Sequence, residues 1–141
     1  MHPLIDIVRA SSSPEQAQKA DNYATAINLE DDFVTMIADK AITVVANRLK
    51  ERRGTTVAPI NDAPSLRANG ISINKWAKGR KSDQDPIVAF GVIGLKITNL
   101  IAQRLRLEPA QVTVKVDVDS AMNISRIVFS FSESVTRIPT N

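Results

Sequence analysis

Between Val112 and Phe131 the chain alternates apolar and polar residues twice, and this period of two constrains the fold more than any other feature. Val112, Val114, Val116 and Val118 fall on one face of an extended segment, with Thr113, Lys115, Asp117 and Asp119 on the other. On the return, Ile127, Phe129 and Phe131 share a face. Pairing Val118 with Ser125 sets Val116, Val114 and Val112 opposite Ile127, Phe129 and Phe131. The same register puts Asp117 opposite Arg126 on the polar face. A slip of one residue mixes apolar with charged positions, so the register is strongly specified. A β-hairpin over 111–132 is expected. Two strands alone make a poor sheet. A third must come from residues 3–9, from 70–74 or from another copy of the chain.

Helical signals precede the hairpin. Ser13-Pro14-Glu15-Gln16 combines a cap, a proline suited to the first turn and a capping-box partner, and small residues Ala17, Ala20 and Ala24 follow. Asn28-Leu29-Glu30-Asp31 reads as the start of a second helix, with Phe33, Ile37, Ala41, Val44, Val45 and Leu49 on its apolar face. Its acids come first and its cations last, as the helix dipole favours, and Gly54 stops it. Asp85-Pro86 opens another helix that runs to about Leu107. The opening half of this helix is apolar nearly all round, which predicts burial on more than one side. Its glycines Gly91 and Gly94 make sense where another backbone crosses close by, or if residues 87–93 are instead a short buried strand.

These elements define an α+β chain. Two to three helices pack on a small antiparallel sheet whose best-defined part is the C-terminal hairpin. The 141 residues fit a single domain, 1–141. Within it, residues 1–12 read as an apolar N-terminal arm carrying Leu4, Ile5, Ile7 and Val8. Residues 55–84 form a long irregular basic connection, punctuated by Pro59, Pro64, Asn69-Gly70 and Gly79, and residues 134–141 a polar tail.

Ordinary side-chain catalysis lacks its parts. There is one histidine, His2, and no cysteine, which excludes a disulfide framework and a thiolate metal site. The glycines at 54, 70, 79, 91 and 94 match no phosphate-cradling spacing. Glu30-Asp31-Asp32 are consecutive on a helix and do not converge on one point. Asp117-Val118-Asp119-Ser120 lacks the rest of a calcium loop. Asp83, Asp85, Asp117 and Asp119 are the carboxylates a magnesium site would have to use. No enzyme activity, cofactor, metal or small-molecule substrate is expected. The N-terminus lacks the basic start and apolar run of a secretory signal. The longest apolar run, Ile87 to Leu95, is about half of a membrane span. The expectation is a soluble protein without membrane partner, cytoplasmic or within a virus particle.

The net charge of +3 hides a segregation. Residues 1–47 carry three Lys/Arg against seven Asp/Glu, residues 48–81 nine against two, and residues 82–141 six of each. Such segregation concerns partners rather than fold. The candidate contacts for an anionic partner are Arg48, Arg52 and Arg53, then Lys75, Trp76, Lys78, Arg80 and Lys81. Cations attract phosphate and a tryptophan face stacks on a base; the competing readings are contact with an acidic protein surface and a solvated basic loop with Trp76 folded back onto the core. Residues 73–81, Ile-Asn-Lys-Trp-Ala-Lys-Gly-Arg-Lys, resemble the end of the recognition helix in repressor-type helix-turn-helix domains. There a Trp or similar residue precedes a Gly-Arg-Lys turn. The resemblance stops upstream, where Val57 to Gly70 carries two prolines and no scaffold helix.

The functional expectation is a non-enzymatic assembly subunit. It builds a homo-oligomer or joins other protein subunits in a larger particle such as a virion or phage tail. The alternative is a nucleic-acid-binding module using the basic, Trp-containing stretch 75–81.

Overall fold

A computed structural model of the 141-residue chain describes residues 14–79 and 85–140, with side chains from residue 29 onward in the first helix. The expected N-terminal arm, 1–12, lies outside the described residues, as does the cap at Ser13.

Helix α1 spans Pro14–Glu51 without a break. The second helix start expected at Asn28 is therefore corrected: no glycine or proline interrupts residues 15–51, so the acids at 30–32 are carried on one continuous helix. Phe33, Ile37, Ala41 and Val45 follow at a spacing of four and are completely buried. After Gly54 comes strand β1, Thr55–Ile60. A 3-10 turn at Ala63–Ser65 and a two-residue ladder of β2 (Arg67–Ala68) with β3 (Ile71–Ser72) lead into a short helix α2, Ile73–Gly79. Helix α3 runs Pro86–Leu105, capped by Asp85, whose carboxylate accepts from the Ile87 N–H at 2.9 Å. A second 3-10 turn, Pro109–Gln111, opens β4 (Val112–Val118), and β5 (Ile124–Val135) returns.

The sheet is antiparallel with order β1-β5-β4. The hairpin register is the one read from the alternation: Val112 faces Phe131, Val114 faces Phe129, Val116 faces Ile127 and Asp117 faces Arg126. One position differs. Val118 pairs with Ile124, not Ser125, because a bulge lies between Asp117 and Val118. The third strand comes from none of the three expected sources. It is Thr55–Ile60, the opening of what was read as an irregular connection. Pro59 obscured it. A proline is tolerated in an edge strand, where its missing N–H would have pointed to solvent, and β1 is an edge. The rest of 55–79 is also more ordered than expected, and the tail is shorter, since β5 continues to Val135.

The fold is thus α+β in two layers. Helices α1 and α3 pack against each other and over one sheet face, α1 against β1 and α3 against β4. The rows Ala58–Phe129–Val114 and Ile60–Ile127–Val116 cross that face. Ala89, Phe90, Ile93, Ile97 and Ile101 of α3 meet it from above. By length and composition α3 could cross a membrane, yet half of its apolar window is buried inside the fold, as in a core helix. An ion pair between Arg104 and Asp39 ties α3 to α1 on the outside.

Candidate interaction surface

Helix α3 is apolar on more sides than the fold covers. Its inner stripe is buried, but Ile87, Val88, Val92 and Leu95 are exposed, Leu95 by 70%. They are four of the five large apolar residues exposed among the described residues, so the exposed apolar surface is concentrated on one half-helix. The expectation that this half is buried on more than one side is corrected for the described residues: they bury one side and leave the other open.

Beside it lies β4, the second edge of the sheet. Between helix and strand runs a groove of about 360 Å³, walled by Ile87, Phe90, Gly91, Gly94, Leu95 and Thr98 of α3 and by Val112, Val114 and Val116 of β4. The two glycines of α3 differ there. At Gly94 a side chain would touch Val114 Cγ1 at 3.6 Å, so the strand itself is the close neighbour. At Gly91 nothing stands within 4 Å. Among the described residues the close approach that would justify a helix glycine is missing at that position, at a cost in helix propensity of roughly 1 kcal/mol.

The two sheet edges are not alike. β1 carries Pro59 and is knotted at its start. The Thr55 hydroxyl donates to the Val57 carbonyl at 2.7 Å and accepts from Arg48 Nε at 3.0 Å. β4 has seven residues and no proline. Its polar face carries Lys115 and Asp117, 3.7 Å apart, with Arg126 Nη1 3.9 Å from the other oxygen of Asp117. A strand of that length without proline offers a free row of backbone donors and acceptors.

The candidate anionic contacts are placed as follows. Lys75 and Lys78 are exposed on α2. Trp76 is not: it is 3% exposed, with its ring 5.4 Å from that of Phe33 at 45°. Of the two readings of Trp76, the side chain follows the one that folds it back onto the core, and the face a base would need is packed against α1. The helix geometry explains this. Ile73, Trp76 and Ala77 form one side of a seven-residue helix, and that side is buried. Arg52 and Arg53 are exposed, whereas Arg48 is half-buried and engaged with Thr55. Arg48 stands fifteen residues beyond Phe33 on α1, about 22 Å along the axis. The arginine group and the lysine group therefore do not form one patch. Arg80 and Lys81 lie outside the described residues.

The carboxylates have local duties. Asp85 caps α3. Asp119 closes the hairpin turn, accepting from the N–H groups of Ala121 and Asn123, both at 2.9 Å, and Asp117 faces Lys115 and Arg126. Asp62 accepts from Lys40 Nζ at 2.6 Å, and that hydrogen bond holds its carboxyl below the usual carboxylate range. Among the described residues no group of three His, Cys, Asp or Glu side chains converges.

No protein-family model, curated protein or solved structure matches the chain.

Proposed function

We propose that this protein is a non-enzymatic assembly subunit that joins copies of itself into a homo-oligomer. The observation that carries the reading is the uncovered apolar side of α3 beside the open strand β4. Apolar surface of this concentration is rare on a stable monomer and typical of a contact surface. A larger particle such as a virion or phage tail is a setting in which such a subunit would serve.

The test is the solution mass by light scattering, for the full chain and for Leu95→Asp. The expected result is a mass several times 15.4 kDa for the natural protein. For Leu95→Asp a shift toward monomer, with an unchanged circular dichroism spectrum, is expected, because Leu95 is exposed and contributes little to the chain's own core. A monomer at all concentrations sinks the reading.

The nucleic-acid alternative keeps Lys75, Lys78, Arg52 and Arg53 as exposed cations. It has lost the stacking face of Trp76. Absorbance at 260 nm across the same peak, removed by high salt, would favour it.

A further inference from the structure

The assembly reading leaves open which surfaces meet. We infer that β4 pairs antiparallel with β4 of a second copy, about a two-fold axis through Val116. The inference rests on the homo-oligomer reading and adds its geometry.

Among the described residues two edges are available to a sheet of order β1-β5-β4, and Pro59 removes a donor from one of them. The other, β4, combines an unbroken strand with the apolar groove. Its own side chains select the register. Antiparallel strands keep facing side chains on the same side of the sheet, so each candidate two-fold axis through a residue fixes all the pairs. An axis through Lys115 opposes two lysines. An axis through Asp117 opposes two aspartates. An axis through Val118 sets Asp117 against Asp119 twice. An axis through Val114 leaves both charges without an opposite charge. An axis through Val116 sets Lys115 opposite Asp117 of the partner, twice, with no like charges facing. On the apolar face it stacks Val116 on Val116, and Val114 on Val118.

The same axis answers the two open questions on α3. The sheets of both copies become one of six strands, and both α3 helices lie on the same face of it. Ile87, Gly91 and Leu95 line the groove toward the added strand. The helix carrying them gains a neighbour there, and Gly91, with nothing within 4 Å, leaves room for a close crossing. Ile87 and Leu95, the exposed apolar residues of α3 that line the groove, are then covered by the second copy.

Two experiments test this on the full chain. In the first, Lys115→Glu and Asp117→Lys are made separately. Each variant alone faces like charges twice, and its dimer weakens by roughly ten- to a hundredfold. Mixing the two restores unlike pairs on both sides, so the mixture dimerises as heterodimers. In the second, Val116→Cys is oxidised. The chain has no cysteine of its own, so any disulfide dimer uses position 116. Facing residues in adjacent strands are within disulfide reach, whereas Lys115→Cys sits two positions away from its mate. Rapid cross-linking at 116 and slow cross-linking at 115 support the pairing. This second test does not depend on the charge variants folding. An oligomer without preferential heterodimers and without cross-linking at 116 overturns the pairing while leaving assembly through another surface. Loss of the oligomer on deleting residues 1–12, with no cross-linking at 116, assigns the groove to the arm and overturns it too. A monomeric natural protein overturns both the pairing and the assembly reading.

Discussion

The side-chain amide of Asn74 closes on the backbone of Ile124, fifty residues away. Its Nδ2 donates to the Ile124 carbonyl at 3.2 Å, and its Oδ1 accepts from the Ile124 N–H at 2.7 Å. Asn74 thus acts as one more strand residue beside the start of β5, where the bulge in the hairpin interrupts regular pairing. The contact joins α2 to the sheet.

Asn74→Ala removes both bonds and leaves the N–H and C=O of the buried Ile124 without that partner. A loss of about 1–3 kcal/mol is expected in urea unfolding. Asn74→Asp keeps the acceptor but sets a carboxylate oxygen against the Ile124 carbonyl oxygen, so it should cost at least as much as Asn74→Ala. Coincident unfolding curves for Asn74→Ala and the natural protein would show that the clamp contributes nothing.

Trp76 is the only tryptophan, and its ring rests on Phe33. Its fluorescence should be blue-shifted, resist quenching by iodide, and move to the red on unfolding. Trp76→Ala should cost about 3–5 kcal/mol, with Trp76→Phe recovering part of it. A native emission that iodide quenches freely would contradict the buried placement.

Gly54 turns α1 into β1 against the end of β5. A side chain there would collide with the Ser134 hydroxyl and stand 3.2 Å from the Val135 carbonyl oxygen. The hydroxyl can rotate away, but the backbone oxygen cannot. Gly54→Ala should therefore destabilise by about 1–3 kcal/mol. Thermal melting of the double variant Gly54→Ala, Ser134→Ala separates the two contacts. Full recovery in the double variant would place the whole cost on the hydroxyl.

The Lys40–Asp62 pair predicts a small pH effect with a definite sign. The hydrogen bond from Lys40 depresses the folded-state pKa of Asp62. A depressed carboxylate stabilises the fold above its unfolded pKa, and that contribution is lost as the pH falls through the folded value. Both groups are more than a third exposed, so the effect should stay well below about 1 kcal/mol. Asp62→Asn should melt slightly earlier at pH 7, with the difference closing as the pH drops below about 4. A gap that widens in acid would reverse the assignment.

Much of this fold was legible in the chain itself. The alternation of valines with Ile127, Phe129 and Phe131 determined the hairpin and all but one of its expected pairs, because a side-chain period of two leaves only one register with a consistent apolar face. The spacing of Phe33, Ile37, Ala41 and Val45 determined the buried stripe of α1, and Asp85-Pro86 the start of α3. Local spacing sufficed for these because each signal is repeated within a single element. Tertiary structure alone decided the rest. Strand β1 was hidden by Pro59, whose cost depends on whether the strand lies at an edge or in the middle of a sheet. Trp76 sits among four cations in the sequence, yet in the fold it is buried while Lys75 and Lys78 are exposed, because the seven-residue helix turns Ile73, Trp76 and Ala77 inward. The half-bare face of α3 belongs to the same class. Sequence determines that the opening half of the helix is apolar nearly all round, but how much of that surface is covered depends on where the sheet ends, and among the described residues it ends at β4.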